Sequence, residues 1–222
     1  MPLNADTLQG HPASDFRLSN WLPTAAEVGA APTGYGLGEQ AFNAPGNDAN
    51  QITKCGFFRA YVNTPTGDWW TIQQEDLYGD GKYMIQKASC YGYIHALHAE
   101  RMVINGSFYE WEWVNPPMIL GAEYRTTERW DGKPVYTKLL NFGTATDYAT
   151  VSLGIAGTCT IIRQEGTLTD AGIVIPYNEF GGSNSFNILT AVNAGEWRCT
   201  FRVGSNYSGR FTLALQAWYV KT

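Results

Sequence analysis

The sequence predicts an all-β protein, and its composition, turn dipeptides and residue alternation all indicate this. Charged residues make up 16% and aromatic residues 14% of the chain, and 24 of its 222 residues are glycine. This balance suits short strands joined by tight turns. The dipeptides Asn105-Gly106 and Asp131-Gly132 each separate two β-rich runs and predict hairpins, because these residues accept a positive φ. We therefore expect an extended N-terminal segment, a small β domain and an antiparallel β-sandwich, in that order.

Residues 1–50 are predicted to form an extended segment with one short helix. The stretch NADTLQGHPASDF (4–16) is too short and too polar to build a core of its own. Residues 19–50 are rich in Ala, Gly, Pro and Asn, which favours irregular structure. Within them, TAAE (24–27) has the threonine and glutamate spacing of a capping box, which marks a helix start. We expect the segment to pack along neighbouring subunits.

Residues 51–118 are predicted to form the small β domain. GFFRAYV (56–62) has the composition of a strand, and DWWTIQQEDL and KYMIQKASCYGYI follow it with alternating character. The runs ERMVI and SFYEWEWV form the hairpin around Asn105-Gly106. Its register sets Met102 opposite Tyr109 and Arg101 opposite Glu110, so the last two side chains are expected to form a cross-strand ion pair.

A hairpin block (119–141) and a β-sandwich (142–222) complete the predicted chain. The hairpin turns at Asp131-Gly132, and Pro134 confines its return strand to a sheet edge or an irregular start. In EWRCTFRV (196–203) alternate residues face the core, so Cys199 is expected to be buried. We predict that this strand pairs with the final strand (211–220) in a sandwich of about seven strands.

Charge, hydropathy and cysteine spacing limit the possible partners. The net charge is −5 and the Lys and Arg residues are scattered singly, so we expect no nucleic-acid partner. No apolar run approaches the ~20 residues that span a bilayer, so we expect no membrane insertion. Four cysteines without a C-x-x-C pair argue against a zinc site and are expected to be free, buried thiols. We predict no metal and no cofactor.

Several segments resemble parts of phage and prophage tail fibres. Residues 4–16 match the ADTL-x-G-x-x-ASDF joint between fibre shafts and distal domains. Residues 56–114 resemble the pyocin knob family through an opening GF, a W-x-I run, the sequence IQKA and the closing NG-x-x-x-x-W. Residues 113–143 resemble a linker block behind knobs in prophage tail proteins of Gram-positive hosts, and R-x-E-G with IPY resembles a terminal head.

The resemblance implies the distal, receptor-binding region of a tail fibre. Such a protein would be an intertwined homotrimer joined to an upstream fibre shaft or baseplate protein. It would be assembled in the bacterial host cytoplasm and exposed on the virion tail as the fibre tip. Its function would be non-catalytic, multivalent attachment to a bacterial surface glycan, either a cell-wall polymer such as teichoic acid or a capsular polysaccharide.

Aromatic side chains are the main candidates for ligand binding, because Tyr and Trp combine a flat apolar face with a polar tip that suits sugar rings. Adjacent Trp69 and Trp70 point to opposite faces of a strand, so at most one of them is fully core-directed. Tyr207 is expected to be exposed in the loop GSNYSG. The candidate ligand-binding residues are Trp69, Trp70 and Trp111 along a groove, Tyr177, Asn178 and Phe180 in one loop, and Asn206 and Tyr207 in another.

Two other functions stay open, a glycan-degrading enzyme and a structural spacer. Glu110 and Glu112 lie two apart on a strand, roughly 6 to 7 Å from each other, close to the carboxyl spacing of glycosidases. An ion pair with Arg101 explains Glu110 more simply, and no hydrolase, protease or nucleotide-binding motif is present, so we predict no catalytic residue. His95 and His98 point oppositely on a strand, which argues against a shared metal.

Overall fold

The computed structural model describes residues 7–8, 11–12, 41–90, 96–144, 146–170, 173–176 and 186–222. They form seventeen strands and two 3-10 helices, Pro45–Asn47 and Ala49–Gln51, so the predicted all-β fold is confirmed. The helix predicted at 24–27 lies outside the described residues. The strands are β1 (Thr7–Leu8), β2 (His11–Pro12), β3 (Phe42–Asn43), β4 (Gly56–Ala60), β5 (Trp70–Asp76), β6 (Tyr83–Cys90), β7 (Leu97–Ile104), β8 (Ser107–Phe108), β9 (Glu112–Asn115), β10 (Glu123–Trp130), β11 (Lys133–Thr144), β12 (Thr150–Ala156), β13 (Thr160–Asp170), β14 (Ile173–Pro176), β15 (Phe186–Asn193), β16 (Glu196–Val203) and β17 (Thr212–Val220).

Strands β3 to β9 form one half of a 12-stranded sheet, in the order β3-β4-β5-β6-β7-β9, with β8 also paired to β7. β3 runs parallel to β4, and the remaining pairs in this half-sheet are antiparallel. Successive side chains point to opposite faces of a strand, and burial alternates accordingly along β6. The half-sheet therefore has a core face, which includes Ala60, Trp70 and Ile72, and an outer face, which includes Arg59, Thr71 and Lys87.

A buried polar network crosses the core face. The amide nitrogen of Gln86 donates to the carbonyl of Ala49 and to Gln74 Oε1, at 2.8 and 2.7 Å. Gln74 in turn donates to the carbonyls of Ile52 and Lys54, at 3.0 and 3.3 Å. Both glutamines are almost fully buried. The network thereby fastens residues 44–54, which we call the covering segment, onto strands β5 and β6.

Arg101 of β7 extends this network and is itself buried. Its Nε donates to Gln86 Oε1 at 2.9 Å and its Nη2 donates to Asn50 Oδ1. The guanidinium lies 4.7 Å from the ring centroid of Phe108 and 4.3 Å from that of Trp111. Burial lowers the pKa of Arg101 to about 10, against an opposing effect of Asp48. The hydrogen bonds and aromatic faces together replace the hydration that the cation loses.

The hairpin at Asn105-Gly106 is confirmed, with Val103 opposite Phe108 and φ values of 52° and 77° at the two turn residues. The strand pairing predicted beyond Tyr109 is wrong. The register shifts by one residue after Tyr109, so that Glu100 pairs with Glu112. Since a one-residue shift exchanges the two faces of a strand, the expected pair between Arg101 and Glu110 does not form.

The half-sheet continues into the second part of the chain through β9 and β10. These strands pair in parallel at one position, Trp113 with Thr126, and the ring of Tyr124 packs edge-on against Trp113 with centroids 5.7 Å apart. β10 then turns at Asp131-Gly132 into β11, so the second predicted hairpin is confirmed. β11 pairs on its other side with β17.

Seven strands, β11 to β17, form a sandwich around a second core. One layer is the order β14-β13-β17-β11, which continues the large sheet, and the other is β12-β16-β15. The predicted pairing of β16 with β17 is wrong, because the two strands lie in opposite layers and pack through their side chains. The fully buried residues of this core include Leu153, Leu168, Phe186, Cys199, Phe201, Leu213, Leu215 and Tyr219.

The cysteines are all free. Cys199 is buried in the sandwich core as predicted, and burial raises its pKa to about 12. Cys90 and Cys159 are also buried. Cys55 differs from the expectation and is exposed, because it lies in the bend before β4, where its sulfur accepts a hydrogen bond from the Asp76 amide at 3.3 Å.

A carboxylate joins the end of β17 to β10. Glu123 accepts hydrogen bonds from the Tyr219 hydroxyl and the Lys221 ammonium group. Burial raises the pKa of Glu123, but the hydrogen bonds from Lys221 and Tyr219 outweigh it and hold the pKa below the ordinary 4.5. Glu123 therefore stabilises the fold above pH 4.5, and this stabilisation is lost as the pH falls through the lowered pKa.

We predict that replacing Glu123 with Gln lowers the free energy of unfolding at pH 7 by at most about 1 kcal/mol, because the side chain is partly exposed. The difference between the two proteins should shrink as the pH falls from 5 toward 3. Urea unfolding of both proteins across this range tests the prediction. A difference that is independent of pH would contradict it.

We also predict that Arg101→Ala lowers the free energy of unfolding by about 3 kcal/mol or more, because Gln86 and Asn50 lose a buried charged donor and a cavity opens. Urea unfolding at one protein concentration measures this. Lys54→Ala, at an exposed position, is the control and should change stability by no more than about 0.5 kcal/mol. A loss below 1 kcal/mol for Arg101→Ala would show that the network contributes little.

Candidate ligand-binding site

Trp69 and Trp70 lie on opposite faces of the half-sheet, as their adjacency predicted. Trp70 is buried, donates its Nε1 hydrogen to Thr66 Oγ1 at 3.0 Å and packs edge-on against Trp113. Trp69 leaves 54% of its surface exposed. Trp70 therefore has a structural role in the core, whereas the ring of Trp69 is available on the outer face.

Tyr61 and Trp69 form an exposed aromatic pair. Their ring centroids are 4.8 Å apart with planes inclined at 65°, an edge-to-face arrangement. The pairing of Ala60 with Trp70 positions them, because Tyr61 directly follows β4 and Trp69 directly precedes β5, which places the two residues side by side. Contact with Tyr61 limits the motion of the Trp69 ring while leaving its surface accessible to solvent.

A polar row borders this aromatic pair. Asn43 of β3 is opposite Arg59 of β4, which is in turn opposite Thr71 of β5. A cleft of about 460 Å³ is lined by Asn43, Arg59, Trp69 and Trp70. The arrangement combines an exposed indole ring with an amide and a cation, which can bind a ring-shaped ligand that carries hydrogen-bonding groups.

Trp111 does not line this cleft. It is half-buried, its ring faces the Arg101 guanidinium, and its Nε1 donates to the carbonyl of Asn63 at 2.9 Å. The structure thus brings Trp69 and Trp70 to one cleft and uses Trp111 to cover the buried arginine.

One loop candidate of the sandwich, Tyr207, has different surroundings from those expected. Tyr207 is half-buried rather than exposed, because it packs against the sandwich core with its ring centroid 5.1 Å from that of Phe211. Asn206 is exposed. Tyr177, Asn178 and Phe180 lie outside the described residues.

Glu110 and Glu112 are paired with arginines other than the predicted Arg101. Arg125 lies 3.0 Å from Glu110 and 2.8 Å from Glu112, and Arg129 lies 2.7 Å from the second oxygen of Glu112. Burial lowers the pKa of Arg125, but hydrogen bonds to both carboxylates outweigh this effect and raise it. These contacts give the two glutamates a structural role, which is to join β9 to β10.

His98 contacts Ser89, with 3.0 Å between Nδ1 and Oγ. His95 lies outside the described residues. Within the described ranges, no three His, Cys, Asp or Glu side chains are grouped so that they could hold a metal ion. The same part of the chain contains no helix of the length and hydropathy that crossing a membrane requires.

Sequence reasoning missed three residues of the site, Asn43, Arg59 and Tyr61. Tyr61 and Arg59 carry a local signal, since both fall at alternate positions of GFFRAYV and so share one face of a strand. Asn43 carries none, because its position depends on the parallel pairing of β3 with β4 across the covering segment.

Comparison with known proteins gives matches among solved structures alone. No family model matches the sequence, and no curated protein matches it. An N-truncated R2-type pyocin tail fibre is 9% identical with a TM-score of 0.28, and the match covers 79% of this chain and 95% of that one. The C-terminal part of the R2 pyocin fibre of P. aeruginosa is 9% identical with a TM-score of 0.30, over 85% and 69% of the two chains.

The C-terminal part of the R1 pyocin fibre of P. aeruginosa is 8% identical with a TM-score of 0.27, over 79% of this chain and 65% of that one. The structural neighbours are thus pyocin tail fibres. TM-scores of this size do not correspond to a shared overall fold, so the proposals below depend on the residues of this chain.

We predict that Glu112→Gln lowers the free energy of unfolding by about 1 to 2 kcal/mol, because the half-buried carboxylate bonds two arginines. Glu110→Gln, at a carboxylate with 76% of its side chain exposed, should cost less than about 1 kcal/mol. Thermal or urea unfolding of both variants shows which of them loses more stability. Equal losses of unfolding free energy in the two variants would show that the ion pair with Arg129 and the burial of Glu112 contribute nothing to stability.

Proposed function

We propose that the chain is the distal, receptor-binding region of a tail fibre of a phage or phage-like particle. In this proposal it attaches the particle to a bacterial surface glycan by non-catalytic binding. The resemblance of residues 4–16 and 56–143 to tail-fibre segments supports the class of protein. The exposed Trp69 ring beside Tyr61 is the observation that carries the binding activity.

A ligand that binds to an exposed Trp ring of fixed orientation causes little further loss of side-chain conformational entropy. Contact with Tyr61 already restricts the Trp69 side chain, so a ligand that stacks on it immobilises few further rotamers. The flat indole face matches the apolar face of a sugar ring, and the neighbouring Asn43 amide can both donate and accept hydrogen bonds. The exposed Trp69 ring at the cleft suits a polymer chain that passes across it.

A weak single site is sufficient if the fibre is a homotrimer, as we also propose. A millimolar site corresponds to only about 4 kcal/mol of binding free energy. Three sites on one fibre, and several fibres on one particle, raise the overall avidity by orders of magnitude without any new contact. The partners in this proposal are two further copies of the chain, an upstream shaft or baseplate protein, and the surface polymer.

We predict that labelled protein is captured saturably by intact cells of a few strains within a panel of Gram-positive and Gram-negative bacteria. Trp69→Ala should reduce this capture at least about tenfold, because the stacking surface is lost and the loss repeats at each site of a multivalent fibre. Trp130→Ala is the matched control, since Trp130 is equally exposed but lies at the turn of β10 and β11. It should leave capture unchanged.

The size of the surface polymer is measured before and after incubation in the same experiment. Shortened polymer would favour a glycan-degrading enzyme over an adhesin. Absence of capture across the panel would favour a structural spacer that binds other particle proteins. Equal capture by wild type and Trp69→Ala would place the binding site elsewhere in the chain.

A further inference from the structure

Arg59 is an exposed cation with no structural partner in the described part of the chain. Its backbone carbonyl accepts a hydrogen bond from the Ala44 amide, but its guanidinium forms no ion pair and no hydrogen bond with the described residues. Among the described residues from 41 to 130, the other arginines, Arg101, Arg125 and Arg129, all bond to side chains. Contacts among the described residues therefore do not account for the guanidinium of Arg59.

The described neighbours of Arg59 along β4 and across the flanking strands are uncharged. Asn43 and Thr71 are opposite it on the flanking strands, and two residues away along the chain are Phe57 in β4 and Tyr61 just past its end. A chain with a net charge of −5 thus has at the edge of an aromatic cleft a positive group that no described residue pairs with. An exposed cation in neutral surroundings retains its full attraction for an anion that enters the cleft.

We propose that the cleft at Trp69 binds an acidic glycan, a sugar polymer that carries carboxylate or phosphate groups, and that Arg59 selects it. This inference rests on the function proposed above and names the chemical class of its ligand. Trp69 stacks on a sugar ring, Arg59 pairs with the anionic group, and Asn43 and Thr71 bond neighbouring hydroxyls. The planar guanidinium can present two parallel N–H donors to either a carboxylate or a phosphate.

The overall negative charge of the protein makes the selection of an acidic glycan by Arg59 more specific. At long range the protein repels a polyanion, so non-specific attraction cannot hold an acidic polymer on its surface. Binding must then come from a local group within a few ångströms of the anion, where the contact outweighs the repulsion that solvent and salt screen. Arg59 is the cation that lines the cleft.

The test uses strains that capture the wild-type protein and compares three variants on them. Arg59→Gln removes the charge, Arg59→Lys keeps the charge without the planar fork, and Lys54→Gln removes one charge from an exposed lysine near the start of β4. We expect Arg59→Gln to reduce capture about tenfold, the size expected for a charge-assisted hydrogen bond, with Arg59→Lys intermediate and Lys54→Gln unchanged.

Soluble polymers compete for the wild-type protein in a second arm. Polygalacturonate presents carboxylates, poly(glycerol phosphate) presents phosphodiesters, and dextran is neutral. We expect at least one acidic polymer to displace the protein from cells and dextran to have no effect. The acidic polymer that competes identifies the anionic group.

The outcomes separate this inference from the proposed function. Wild-type capture with an unchanged Arg59→Gln variant, or with displacement by dextran as strong as by the acidic polymers, would overturn the inference and leave the adhesin standing. A loss with Lys54→Gln equal to that with Arg59→Gln would also overturn it, because net charge would then explain the effect. Absence of wild-type capture on every strain would remove the proposed function and this inference together.

Discussion

The buried polar network around Gln86 and Arg101 is the interaction on which the first half of the structure depends. A glutamine and an arginine in a sheet core are costly unless every donor and acceptor is satisfied. Here the glutamine amides bond to each other and to backbone carbonyls of the covering segment, and Arg101 bonds to Gln86 and Asn50. The covering segment is therefore held over the sheet by specific hydrogen bonds in addition to apolar contact.

This network also determines the geometry of the candidate cleft. The covering segment begins at Ala44, directly after β3, so fixing the segment fixes the strand that carries Asn43. Asn43 then lies opposite Arg59, and the polar row of the cleft is formed. Core packing of Trp70 positions Trp69 on the other side. The polar row is thus built on strand positions and Trp69 directly precedes β5, which favours a preorganised surface over one that closes around its ligand.

Local features of the sequence predicted much of the fold. Both hairpins and the alternation of β16 depend on residues close together in the chain, and they appear as expected. The failures all involve distant or irregular pairing. The extra residue near Tyr109 has no local signal in the sequence. Because of it, Glu110 pairs with Arg125 and not with the expected Arg101. The assignment of β16 and β17 to opposite layers depends on which of seven strands meet, which alternation alone does not specify.

For the candidate site too, the sequence predicted what local strand geometry determines and not what depends on the pairing of distant strands. The opposite orientations of Trp69 and Trp70 follow from strand geometry, and the structure has them. Arg59 and Asn43 could not be found in the same way, because their proximity to Trp69 requires the pairing of β3, β4 and β5. Exposure of Tyr207 was inferred from small polar neighbours, whereas the apolar contact with Phe211 determines its position. Loop composition is a weaker guide than strand pairing where an aromatic residue can reach the core.

We propose that surface polymer binds on the outer face at Trp69, and the indole N–H signals of the protein can report this contact. The chain has eight tryptophans, each with one such signal in a nitrogen–proton correlation spectrum. Titration with polymer isolated from a strain that captures the protein should shift or broaden the Trp69 signal, assigned by its loss in Trp69→Ala. The signal of the buried Trp113, which does not line the cleft, should stay in place. Perturbation of other tryptophans with an unchanged Trp69 signal would contradict the account.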